Sequence, residues 1–358
     1  MPTVPKVVHF LVKICFIPVY FNPVERRLTF RFCSSQTLLF FFIYMGLLSC
    51  LNISGFLAMQ TVTVKEVVVE YYNNSNIIDT ISALLLGFLM SGLLPYSPLL
   101  LARGIPSVPA IFQAGDPKWP KHGMKHILSW MLLSSGYFIM NTSFWSQMLK
   151  RVDVPVHILS LIYVSPSLQQ SLAPLYFVVP ILVISAYMEK LIAMCNENAP
   201  GKEIQQARRC LEVYKAFESG FGPFFCFVFG VTQILMIFSF FISFSRALGA
   251  NEPVSVKVGS SFGTLLISFG LMLNIAGLTF TLESGYKSVK SLVKPLQEQL
   301  LVDASDRMII KNSIKEIEDL KPLTGNGYFS ISKGTLTSML SVGITYIIIL
   351  VQFKISAL

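Results

Sequence analysis

Charge is scarce in this sequence. Asp, Glu, Lys and Arg make up only 13% of its 358 residues while 53% are hydrophobic, about half the charged share of an ordinary soluble domain. A water-soluble globular enzyme is excluded on that ground, and so is disorder, which needs low hydrophobicity and high net charge. Cysteines are few and widely spaced. Those at positions 15, 33, 50, 195, 210 and 226 include no close pair of the kind a zinc site or a redox motif needs, so no metal, cofactor or disulfide is expected. Ionisable groups are almost missing from the long apolar runs. Only Asp79 lies within one, at its edge, and Glu283 sits just past the end of another. A proton relay or coupled transporter keeps buried charge where it does work, so neither is expected here. No catalytic constellation is visible: His122 and His126, four apart in a basic stretch without Cys or acid close by, read as solvated interfacial residues.

What is present is membrane-like. Mean hydropathy is +0.62, and 29 Phe, 14 Met and 22 Gly suit lipid contact and close helix packing. Runs long enough to cross about 30 Å of hydrocarbon occur at 37–59, 77–101, 127–148, 171–188, 221–245, 258–282 and 334–353, which predicts seven spans. Pro166, Pro174 and Pro180 are expected to break or kink the fourth. The apolar N-terminal stretch 7–21 is interrupted by Lys13, with Pro18 after it and no small-residue cleavage pattern, so no signal peptide is expected.

The net charge of +9 is a question of sidedness rather than of nucleic acid, which is not an expected partner. Of the 28 Lys and Arg residues, 22 fall in the N-terminal segment and in alternate connections. The other side holds six: Lys65, Lys150, Arg151, Arg246, Lys257 and Lys354. The basic side is cytoplasmic, which puts the N-terminus inside and the C-terminus outside. Asn73-Asn74-Ser75 is then a glycosylation sequon in the first external loop, although the same pattern arises by chance at Asn52 and Asn141 inside spans. No cysteine lies outside. A seven-helix G-protein-coupled receptor has the opposite orientation and is excluded by the charge distribution.

The connection between the last two spans is too long for a structureless loop. Asp303 and Asp306 are placed to cap a helix ending before Pro322, along which Ile310, Ile314, Ile317 and Leu320 recur at helical spacing. Such a helix packs either on its own loop or against copies of itself, and periodicity does not separate the two. In the last span Ser338, Ser341, Thr345 and Gln352 lie along one stripe with Ile349 between the last two. Either this stripe is polar glue within one chain, or it faces water. One helix cannot enclose an aqueous path, so the second reading requires several subunits around an axis.

The stretch Thr345-Tyr346-Ile347-Ile348-Ile349-Leu350-Val351-Gln352-Phe353 resembles, without a gap, the signature that ends insect gustatory receptors: Thr-Tyr, five hydrophobic residues, Gln-Phe. Upstream, Gly327-Tyr328-Phe329-Ser330-Ile331-Ser332 is similar to the glycine, aromatic pair and strand-like turn before the final helix in that family and in the related odorant receptors. The motif-bearing similarity covers about the last 30 residues. The resemblance implies an all-α membrane protein of the insect-chemoreceptor channel fold, with seven transmembrane helices, a cytoplasmic N-terminus and an extracellular C-terminus.

On that pattern residues 1–36 are a cytoplasmic segment, and 37–282 a sensing bundle of six membrane helices with cytosolic extensions. Residues 283–333 are a cytosolic anchor, and 334–358 the pore-lining helix with the external C-terminus. The implied function is a ligand-gated cation channel, a tetramer of identical or related subunits in the plasma membrane of sensory neurons, contacting lipids and permeant cations. The alternative is a non-conducting seven-helix receptor or scaffold of the same fold.

Carried over position by position, Ile349, Gln352 and Phe353 line the gate with Thr345 further inside; for Phe353 this follows from the family alone. A ring of Ile349 and Phe353 stops ions by dewetting, and helix rotation brings Gln352 into their place. The negative end of the helix dipole favours cations at the external mouth, with Lys354 working against it. The family's ligand pocket lies among the second to sixth helices, where Asn141, Trp145, Tyr176, Phe241 and Ser261 qualify by depth. Few carboxylates or amides occur at this level, which tilts the reading towards an apolar or bitter-type ligand.

Overall fold

The computed structural model describes residues 18–22, 27–30, 34–40, 42, 93, 96–108, 156–197, 202–248, 254–302 and 307–356. A short antiparallel pair, β1 (Tyr20–Asn22) and β2 (Arg27–Thr29), precedes α1 (Ser35–Phe40). Then come α2 (Tyr96–Gly104) and a 3-10 turn over Ile105–Ser107. The rest is helical: α3 (Val156–Cys195), α4 (Glu203–Leu248), α5 (Val254–Ser291), α6 (Val293–Val302), α7 (Arg307–Glu318) and α8 (Lys333–Ser356). The third predicted span, most of the first two and the Asn73 sequon lie outside the described residues.

Among the described residues three helical segments are long and apolar enough to cross a membrane: Tyr176–Cys195, Glu203–Ser245 and Lys333–Ser356. The helices outrun the spans that hydropathy marks. At 46 residues α4 is about 70 Å long, twice the hydrocarbon thickness, so its polar N-terminal part projects beyond the apolar layer. Nor do the prolines break the fourth span. Helix α3 is continuous over 40 residues through Pro166, Pro174 and Pro180, and α4 likewise runs through Pro223. Membrane helices tolerate proline because neighbouring groups take up the freed backbone carbonyls.

Helix α4 is the axis of the core. Val213, Phe217, Phe221, Phe224 and Val228 recur at helical spacing and are buried against α3, α5 and α2. Aromatic rings run along this seam, with Phe217 and Phe221 centroids 5.1 Å apart and Tyr187 edge-on to Phe217 at 6.4 Å. Gly104 of α2 leaves no space for a side chain beside the Phe221 ring, so the two helices meet closely there.

The connection before α8 is folded, as its length requires. Ile310, Ile314, Ile317 and Leu320 are all buried, and α7 packs on α6 and on the polar ends of α4 and α5. Tyr214 Oη donates to the Lys321 carbonyl at 3.0 Å, Tyr286 Oη to that of Leu320 at 3.3 Å, and Lys215 pairs with Glu316 at 3.0 Å. The apolar face of α7 is therefore filled from its own chain. Among the exposed residues of the helix the large apolar ones are Met308 and Ile309.

From α7 the chain turns through a tight hairpin. Thr324 and Ser330 form an antiparallel bridge, Tyr328 N–H donates to the Gly325 carbonyl at 3.1 Å, and Asn326 and Gly327 both have positive φ, 54° and 80°. This is the arrangement of a type I′ turn, for which Asn-Gly is the favoured pair. The turn seats the Phe329 ring 5.4 Å from Phe229 of α4 and delivers the chain to α8. Nothing lies near a Cβ built on Gly327, so replacement by alanine meets only the backbone penalty. Gly327→Ala is expected to cost about 1 kcal/mol, read as a lowered thermal midpoint of the purified protein.

Candidate functional site

Helix α8 carries the whole C-terminal motif, and its surroundings distinguish it from the other apolar helices. Within this chain 72% of the most apolar stretch of α3 and 56% of that of α4 are buried, against 6% for α8. Helix α8 leans on α4 and α5 along one narrow line. That line passes through the partly buried Leu336, Met339, Ile347 and Leu350 and the two buried residues of the helix, Gly343 and Lys354. At 3.6 residues per turn, Ser338, Ser341, Thr345 and Gln352 fall on nearly the opposite side, and all four are exposed. Ile349 lies beside that polar line and Phe353 about a quarter-turn from it. Both are exposed, Phe353 at 60%, as is Tyr346. Thr345 Oγ1 donates to the Ser341 carbonyl at 2.9 Å, which keeps the hydroxyl against its own helix.

Three contacts set α8 against the rest of the chain. At its start Ser332 faces the Thr335 N–H, 3.4 Å from Ser332 Oγ, and Glu283 of α5 accepts from the Lys333 N–H at 3.3 Å. An acid at a helix N-terminus is favoured by the dipole. The Lys287 ammonium, hydrogen-bonded to Glu283 at 2.7 Å, holds that carboxyl below the usual carboxylate range. The carboxylate therefore persists at neutral pH, and the link is lost only as pH falls through the lowered value. In the middle, Gly343 lets α8 approach the Met236 side chain closely, and Gln233 stands beside it. At the end Lys354 turns inward, its ammonium hydrogen-bonded to Ser245 Oγ and 3.4 Å from the Ser245 carbonyl.

Lys354, expected to set its charge against cations at an external mouth, turns its ammonium towards α4. It belongs to the buried line of α8, on the side away from Thr345 and Gln352. Sequence reasoning also missed Gln233, whose amide oxygen and nitrogen are both buried without a hydrogen-bond partner among the described residues, like the neighbouring Thr232 hydroxyl. An amide within an apolar run of α4 is the signal that marks it.

Of the residues expected in a ligand pocket, Tyr176 on α3 is buried in the continuous core, and its carbonyl accepts from Ser97 of α2. Phe241 is fully buried further along α4 and is not part of that continuous core. Ser261 falls within α5, with its side chain outside the described set. Asn141 and Trp145 lie outside the described residues altogether. No group of three or more His, Cys, Asp or Glu side chains suited to a metal occurs among the described residues.

No protein-family model and no curated protein matches this sequence. Solved structures do match. The chain is similar to the insect olfactory receptor OR5 from Machilis hrabei in complex with eugenol, with a TM-score of 0.54 and 14% identity over 97% of both chains. It is similar to the same receptor without that description of a ligand at a TM-score of 0.53, again with 14% identity and 97% coverage of each chain. The fold of this chain is thus that of an insect olfactory receptor, a mostly helical membrane architecture matched over nearly the full length.

Proposed function

We propose that this chain is a chemosensory receptor of the gustatory type, in which four identical or related subunits surround a cation pore opened by a small-molecule tastant at the plasma membrane. The observation that carries this reading is the isolation of α8. A membrane helix with a polar line of Ser338, Ser341, Thr345 and Gln352 opposite its attachment to its own chain leaves that line without cover, and copies around an axis supply it. The fold similarity to an olfactory receptor solved with eugenol supports a small, largely apolar ligand. The charge asymmetry supports seven spans with an inner N-terminus, outer C-terminus and external Asn73.

In this reading Ile349 and Phe353 form the closed constriction, Gln352 replaces them on opening, and Thr345 lines the inner approach. Tyr176 and Phe241, with Asn141, Trp145 and Ser261, belong to the ligand-sensing bundle. The unit around α6 and α7, with Leu301, Met308 and Ile309 outward, anchors neighbouring subunits.

Whole-cell recording from cells expressing the chain, challenged with eugenol and a panel of bitter compounds, tests the proposal. A current carried by both Na+ and K+, absent from untransfected cells, is expected. Ligand binding without any conductance, with the protein at the surface, favours the non-conducting receptor instead.

A further inference from the structure

Lys354 is the residue of α8 that packing alone does not call for. It is buried at the end of the line that leans on α4, where a Met or Leu side chain would fill space without the desolvation cost of burying an ammonium. Its ammonium meets Ser245, itself buried on α4, through both hydroxyl and carbonyl. The other buried residue of α8, Gly343, lies eleven positions earlier, about 16 Å along the axis. Gly343 contributes a close approach to the Met236 side chain, which has no directional bond. Lys354 contributes a directional bond, and it is the next residue after Phe353. Neighbouring side chains on a helix stand about 100° apart, so fixing Lys354 towards α4 fixes the direction of the Phe353 ring. On α4, Ser245 lies one turn beyond the fully buried Phe241.

From these contacts we infer that Lys354 is a positioning residue for the gate, the tether through which α4 holds the outer end of α8 and sets where Phe353 points. The path from the sensing bundle to the constriction then runs along α4 from Phe241 to Ser245, across to Lys354 and on to Phe353. This assignment rests on the channel reading above. It further states that the lysine charge acts on α4 and not on permeating ions.

Na+ current in the absence of any added ligand, normalised to surface protein, tests it without knowledge of the tastant. Lys354→Met and Ser245→Ala are each expected to raise that current about threefold or more, since a loosened tether frees Phe353 from its resting direction. The double variant is expected to match either single one, and neither change is expected to add to Phe353→Ala. Lys354→Arg, whose guanidinium still donates to Ser245, is expected to stay at the parent level. The reversal potential in asymmetric NaCl is expected to be unchanged throughout.

Singles at the parent level, effects that add to Phe353→Ala, or a reversal potential moved by Lys354→Met would each overturn the tether while leaving the channel intact. Should Lys354→Met fail to reach the surface, Ser245→Ala, which removes one hydroxyl, with Lys354→Arg carries the same comparison. A silent Phe353→Ala at the surface overturns the gate assignment and the tether with it, whereas the absence of any ligand-evoked current is what overturns the channel reading itself.

Discussion

Phe353→Ala is expected to raise ligand-independent cation current about tenfold or more, the change of state that removing a hydrophobic gate produces. Phe353 is 60% exposed near the C-terminal end of a helix that its own chain barely covers, about a quarter-turn from the polar line. In a fourfold arrangement four such rings converge, and a constriction of apolar rings stops ions because water leaves it. Alanine widens the passage by most of a side chain from each subunit, and water and ions enter. Ile349 still borders the passage one turn inward, so a residual barrier remains, and Phe353→Ala with Ile349→Ala is expected to conduct more than either alone. Recordings at matched surface expression check this. Phe353→Trp, which keeps the bulk, is expected to remain closed at rest. A Phe353→Ala protein that reaches the surface and stays closed moves the gate elsewhere.

The second large effect is on stability. Ile317→Ala is expected to destabilise the protein by about 2–5 kcal/mol, the range for emptying a fully buried aliphatic position. Ile317 has no exposed surface and faces the core formed with α4, α5 and α6. Ile309, on the same helix and 38% exposed, is the matched control; Ile309→Ala is expected to change folding stability by less than about 1 kcal/mol. Thermal unfolding in detergent separates the two. If Ile309→Ala instead leaves each chain folded but lowers the mass of the complex, the outward face of α7 holds subunits together, as proposed for the anchor.

Some of this structure was legible because it is local. The 310, 314, 317, 320 spacing reports the buried face of α7, since periodicity records which side of a helix is covered. It does not record by what, and the tertiary contacts of Tyr214, Tyr286 and Lys215 with this region resolve that choice. The Asn326-Gly327 turn was also present as a two-residue signal, although the sequence reading reached it only as a strand-like turn before the last helix.

Helix lengths were underestimated. Hydropathy marks the apolar layer and falls silent where a helix leaves it, yet Ala207, Cys210, Leu211, Tyr214 and Phe217 continue the buried line of α4 through a charged stretch. The break expected at the prolines does not occur, because in a membrane helix neighbouring groups take up the carbonyls that proline frees. At the candidate site the polar line of α8 was readable from residue spacing. The contacts that orient it were not, because they join residues far apart: Lys354 meets Ser245 across 109 positions and Lys333 meets Glu283 across 50. A single chain offers no pattern from which such pairs follow.

Helix α8 is left uncovered in one chain, and in the proposed assembly copies of the chain cover it. The mass of the detergent-purified protein, measured by light scattering with the micelle subtracted, tests this most directly. A mass of about 160 kDa is expected, four protomers of 40.0 kDa around one axis. A stable 40.0 kDa monomer that retains its fold would contradict it.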